Sequence, residues 1–184
     1  CSSDLVAFIK ENGWIAVVGI DGGAENDLVK VPSAKGYLDW PVGRWLYYSE
    51  GGYNDPESRI LKKVNVDDPR QIEPVADFGR AMWLWSISAD GTRACVRTSD
   101  YVEPCAGNGH VYRCTLPALN WSKPSCNSSD DFGSSCGNAL SPSGATVMMF
   151  TSTGHNGIKF YSWNDTKNAH TTISGTDMNR WGVD

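Results

Sequence analysis

Three glycines, Gly43, Gly91 and Gly144, each follow a tight turn and open a run of β-formers, and they lie 48 and 53 residues apart. The clearest copy is the stretch "LSPSGATVMMFTSTGHNGIKFYSW", which aligns on Gly144. Upstream, "ISADGTRACVRTSDYVEPCAGNGHVYRCTLP" places Gly91 at the same point. Further upstream, "WPVGRWLYYSEGGYNDPESRILKKVNVDDP" places Gly43 there, with one residue fewer in the turn. Each copy reads apolar residue, tight turn, β-strand, polar Gly- or Asn-rich turn, second β-strand, then a segment leading to the next copy. Self-similarity at this period limits the chain to architectures in which neighbouring copies cover one another's apolar faces.

Helical periodicity is almost absent. Gly, Pro and Asn-Asp breakers interrupt nearly every dozen residues, and short strand-like runs bounded by turn residues take their place. The predicted class is all-β: a β-propeller of four-stranded antiparallel blades, about four of them, forming a small closed ring or part of a larger propeller. The copies run roughly over 5–36, 37–82, 83–136 and 137–178, with 179–184 starting or completing a blade. The segments that open copies are aromatic: "GYLDWP", "AMWLWSIS" and the terminal "NRWGVD", in which Trp181 aligns with Trp85. The first segment, "LVAFIKENGWIAVVGIDGG", matches the second half of a copy that lacks its first strand.

The pattern of apolar residue, Ser-Pro-Asp/Ser-Gly, strand, turn, strand resembles the TolB-type (WD40-like) β-propeller repeat. The copy at Gly144 is the best match, "ISADGTRACVRTS…GHVYRC" is good, and "WPVGRWLYYSEGG…RILKKVNV" is degenerate. The resemblance implies a propeller across residues 5 to 184. Such propellers serve as scaffolds, binders and accessory domains of peptidases, so the likeness names no activity. Members usually carry six or more blades, and three arrangements follow for a chain of this length. "RWGVD" supplies the missing first strand at Leu5 and closes a ring. It pairs with the next molecule, head to tail, as a donated strand. Or the chain is part of a longer propeller.

Charge excludes one class of partner. Sixteen basic against 21 acidic residues leave a formal charge of −5, and no Lys/Arg run is present to neutralise a series of phosphates. Lys62-Lys63 is the longest cationic cluster and reads as a strand surface. No apolar run approaches the ~20 residues that span a bilayer as a helix.

Six cysteines, without a CxxC pair or zinc-ligand spacing to histidine, point to disulfides and an oxidising compartment. The predicted disulfide set is Cys95, Cys105, Cys114, Cys126 and Cys136. A hairpin of 94–98 with 111–115 brings Cys95 near Cys114, leaving Cys126 to close a loop with Cys136. Three sequons, at Asn120, Asn127 and Asn164, fall in turn-like sequence and mark glycosylation candidates. Cys1-Ser-Ser-Asp also has the form of a mature lipoprotein start, which makes Cys1 a candidate lipid anchor.

No catalytic constellation is recognisable. No Gly-x-Ser-x-Gly occurs, and His110 and His155 hold corresponding positions in consecutive copies, which is how structural residues behave. His170 reads as solvated. The acidic stretches "GIDGGAEND" and "NVDDP" lack the spaced loop that holds calcium, so no metal or cofactor is expected. Aromatic openers leave a sugar-stacking reading open for Trp40, Trp83, Trp85, Arg180 and Trp181, with Tyr37, Arg44 and Arg80 nearby. Packing between blades is the competing role for the same rings. The sequence thus predicts a non-enzymatic, extracellular propeller that acts as a structural or protein-interaction scaffold, possible as a self-assembling strand donor. The alternatives are a carbohydrate-binding, lectin-like propeller and the propeller portion of a larger hydrolase.

Overall fold

The computed structural model describes residues 4–31, 37–41, 43–51, 59–78, 82–98, 110–117, 131–134, 137–151 and 157–174. Fifteen strands occur among these residues and no α-helix. They form four antiparallel sheets. The first holds β1 (Leu5–Ile9), β2 (Trp14–Gly19) and β3 (Asn26–Lys30). The second holds β4 (Leu38–Asp39), β5 (Trp45–Ser49), β6 (Ile60–Asn65) and β7 (Ile72–Asp77). The third holds β8 (Met82–Ile87), β9 (Arg93–Thr98), β10 (His110–Thr115) and β11 (Asp131–Ser134). The fourth holds β12 (Gly137–Leu140), β13 (Thr146–Thr151), β14 (Gly157–Ser162) and β15 (Ala169–Ser174). In each sheet, strands neighbour one another in chain order.

The repeated glycines explain themselves in the backbone. Gly43, Gly91 and Gly144 have φ of 71°, 70° and 68°, a left-handed conformation that costs other residues about 1–2 kcal/mol. Each ends the turn between the first and second strand of its sheet. In the third sheet the residue before the glycine locks that turn. Asp90 accepts hydrogen bonds from the Ser88 hydroxyl at 2.6 Å, the Thr92 amide at 3.0 Å and the Thr92 hydroxyl at 2.8 Å. These donors, the Ser88 hydroxyl first, hold its carboxyl down at about 2.

Sheets two to four each carry a β-bulge in the pairing of third strand to fourth, at Leu61/Lys62, Val111/Tyr112 and Phe160/Tyr161. The first sheet has its bulge between β2 and β3, at Ile15/Ala16. Its backbone closure agrees: the Val31 amide donates to Gly13 at 2.8 Å, as Phe78 donates to Arg59 at 3.0 Å after the fourth strand of the second sheet. β1, β2 and β3 therefore occupy the second, third and fourth positions of a copy. No first strand lies against β1 among the described residues.

The chain divides into two compact units, 1–83 with 116–124 and 84–115 with 125–184. In the first unit one apolar cluster joins the first and second sheets: Ile15, Val17, Leu28 and Val31 against Leu46, Tyr48, Val64 and Val66. In the second unit a matching cluster joins the third and fourth sheets: Cys95, Val111 and Phe132 against Leu140, Val147, Met149, Tyr161 and Trp163. Polar contacts reinforce that second junction. Arg93 donates to the Gly144 carbonyl at 2.8 Å and lies 5.2 Å over the Trp163 ring. Arg113 donates to the Trp163 carbonyl, and the Leu140 amide donates to the Ser86 hydroxyl at 2.6 Å.

One expected disulfide is corrected. Cys95 is a free, buried thiol. β9 and β10 do form the expected hairpin, but the register sets Cys95 opposite Arg113 and Cys114 opposite Ala94. That offset of one residue sends the two sulfurs to opposite faces of the sheet, because successive side chains alternate. Cys114 is disulfide-bonded, to a residue other than Cys95. Cys1, Cys105, Cys126 and Cys136 lie outside the described residues.

Candidate interaction surface

The aromatic residues named from sequence fall into two groups. Trp40 is half-buried against the first-unit cluster, and its indole N–H donates to the Gly43 carbonyl of its own turn at 2.8 Å. Trp85 is 7% exposed, so its ring has no open face on which a sugar can stack. The side chain of Trp83, together with Arg80, Arg180 and Trp181, lies outside what is described. Of the sequons, Asn164 stands exposed in the turn between β14 and β15, while Asn120 and Asn127 are not described. His155 is likewise not described. His110 opens β10 with its ring 6.3 Å from Tyr112, and His170 is exposed on β15 with its ring 6.4 Å from Phe160.

Four residues of the acidic stretches, Glu25, Asp27, Asp67 and Asp68, pair with nearby cations. Lys10 pairs with both Glu25 and Asp27 at 2.6 Å, and these carboxylates raise its pKa, that of Asp27 most. Asp67 pairs with Arg44, and Asp68 with Arg70 at 2.9 Å. Among the described residues no group of three or more His, Cys, Asp or Glu is placed to hold a metal. The Lys62-Lys63 pair sits on β6, bonded to Glu50 at 2.7 Å and Glu73 at 3.0 Å.

Cys95 sits beside Asn138, whose side-chain amide donates to the Cys95 carbonyl at 3.2 Å. Burial pushes its thiol pKa up, far beyond the ordinary range. The thiol is thus neutral at physiological pH and acts as a small apolar side chain.

A surface that the sequence reading did not single out is the outer face of the first sheet. Val6 is 49% exposed and Ile20 65%. Cross-strand register identifies their counterparts. Val6 stands opposite Val18 as Leu46 stands opposite Val64 and Val147 opposite Tyr161. The Ile20 amide donates to the Asp4 carbonyl, the same closure that Val66 makes to Arg44 and Trp163 makes to Ala145. Leu46, Val64, Val66, Val147, Tyr161 and Trp163 are all buried at sheet–sheet junctions. Val6, Val18 and Ile20 therefore form a face of the same design, on which Val6 and Ile20 are exposed and Val18 is half-buried. With Phe8 two residues from Val6 on the same strand, the face is apolar along its whole second-strand row.

The opposite kind of face of the fourth sheet carries Met148, Phe150, Ile158 and Phe160. Met148 pairs with Phe160 and Phe150 with Ile158, in the register that Cys95–Arg113 and Arg97–Val111 occupy on the third sheet. On the third sheet that face packs into the second-unit cluster through Cys95 and Val111. On the fourth, Phe150 is 40% exposed.

Comparison with known proteins places the fold. No protein-family model matches the chain, and no curated protein matches its sequence. Similar solved structures include a chain of the nidogen/laminin complex, with a TM-score of 0.62 and 10% identity over 91% of this chain and 60% of that chain. A protein described as TolB from Agrobacterium tumefaciens gives a TM-score of 0.58 and 14% identity, over 93% of this chain and 62% of that one. The Kuenenia stuttgartiensis hydrazine synthase gives 0.53 and 15%, over 91% and 48%. This chain thus spans about three fifths of the length of the first two. At such identities the likeness concerns architecture, and the architecture is propeller-like: antiparallel blades in series, as the repeat predicts.

Proposed function

We propose that this chain is a non-enzymatic propeller scaffold that works outside the cytoplasm by binding protein. The observation that carries the reading is the first sheet. Among the described residues no strand pairs with the outer edge of β1, which holds the second position, and Val6 and Ile20 are exposed beside it. Exposed apolar faces and open strand edges are the features by which soluble proteins pair with other chains. Self-association by strand donation belongs to the same reading: β1, Leu-Val-Ala-Phe-Ile, carries no charge and no proline to block an incoming strand. A propeller-like chain of the nidogen/laminin complex is a structural neighbour, which supports interaction as a use for this architecture. A bonded Cys114 and an exposed sequon at Asn164 support an oxidising, secretory route.

The sugar-binding alternative draws no support from Trp85, which is buried, or from Trp40, whose N–H is committed to its own turn. A glycan array probed with the purified chain tests the choice. No glycan is expected to bind above background; a hit abolished by Trp85→Ala, with the fold intact by circular dichroism, would overturn the scaffold reading in favour of the lectin-like one.

A further inference from the structure

The connection from β14 to β15 holds a complete N-glycosylation sequon, Asn164-Asp165-Thr166. The fold treats its two ends differently. Asn164 is exposed, whereas Thr166 is only 7% exposed. Asp165 between them closes the turn. Its amide donates to the Ser162 carbonyl at 3.0 Å, and its carboxylate accepts from the Lys167 amide at 3.0 Å and the Asn168 amide at 3.1 Å. The Asn168 side-chain amide adds a bond at 3.1 Å, and these donors, that side chain first, hold the Asp165 carboxyl below the ordinary carboxylate range. The Trp163 amide donates to the Ala145 carbonyl at 2.8 Å, which fixes the near end of the turn beside β13.

Glycosyl transfer uses both ends of a sequon. The asparagine Nδ2 displaces a lipid diphosphate from C1 of an oligosaccharide donor. An N–C bond forms, the C1–O bond breaks with its electron pair leaving on the diphosphate, and the amide proton passes to a base of the transferase. The transferase also recognises the hydroxyl two residues on, so that side chain must enter its pocket. We propose that Asn164 is an N-glycan acceptor used only while the turn over 162–169 is open, before the fourth sheet has folded. Folding then buries Thr166 and leaves the sugar on an exposed side chain, where the turn accommodates it. This rests on the secretory route in the reading above and adds a modification and its order.

Purified oligosaccharyltransferase with a lipid-linked donor tests it, with transfer scored at Asn164 by site-resolved mass spectrometry. The folded chain is expected to react at least ~10-fold more slowly than the same chain freshly diluted from denaturant, because only a locally opened turn is usable. Asp165→Ala keeps the sequon and removes the carboxylate that closes the turn. It is expected to raise the ratio of folded to unfolded rates by ~3-fold or more, and Asn164→Gln to abolish transfer at this site. Taking the ratio removes any direct effect of the middle residue on the transferase. Equal rates for folded and unfolded chain, or a ratio that Asp165→Ala leaves unchanged, overturn the gating by the turn. No sugar at Asn164 in either state overturns the site itself. Each of these results leaves the scaffold reading standing, because that reading is tested by binding and not by modification.

Discussion

Leu46→Ala is expected to lower the unfolding free energy by about 2–5 kcal/mol. Leu46 is fully buried on β5 and belongs to the cluster that joins the first and second sheets. Its neighbours Ile15, Val64 and Tyr48 come from three strands on two sheets, so removing the isobutyl group opens a cavity that no single strand can close by shifting. The cost combines lost apolar transfer with that cavity. Chemical denaturation of the two proteins measures it from the midpoint and slope. A change under ~1 kcal/mol would mean that the two sheets do not share a close-packed core.

Gly13→Ala is expected to cost about 3 kcal/mol, from two causes that a control can separate. Gly13 has φ of 85°, so alanine incurs the left-handed penalty of about 1–2 kcal/mol. A Cβ would also lie 2.5 Å from the Val31 carbonyl oxygen, a distance that forces the backbones apart. The same backbones are held by the Val31 amide donating to the Gly13 carbonyl at 2.8 Å, which is then weakened. Gly22 has the same φ of 85° but meets nothing within 4 Å. Gly22→Ala should therefore show the conformational penalty without the clash, and thermal or denaturant unfolding of both variants measures the difference. Equal losses at the two positions would show that the close approach at Val31 contributes nothing.

The repeat was legible because its turn needs a positive φ, and glycine writes that need into the sequence at 43, 91 and 144. Gly13 shows the limit of the signal. It has the same conformation, and the Trp14 amide donates to Asn12 as the Thr92 amide donates to Asp90. Yet it joins β1 to β2, the second and third positions of its sheet. What separates the two cases is the β-bulge, a matter of backbone register that no residue type announces. The same register decided Cys95: a hairpin was readable, but a one-residue offset across it was not. Trp85 was readable as aromatic weight with two possible uses, and burial distinguishes them. The outer face of the first sheet was invisible for a different reason. Alternating apolar residues in "LVAFI" look the same whether their outward row meets another sheet or water.

Amide hydrogen exchange along β1 tests the central claim most directly, at a concentration where the chain sediments as one copy. In β5 and β13 both strand edges are hydrogen-bonded, to β4 and β6 and to β12 and β14. Their amides are expected to exchange slowly throughout. Among the described residues the partner of β1 is β2, so alternate amides between Leu5 and Ile9 should exchange at near-solvent rates while those facing β2 stay protected. Slow exchange at every amide from Val6 to Ile9 in the single-copy state would contradict the account, because it would place a first strand against an edge that the account leaves open to a partner.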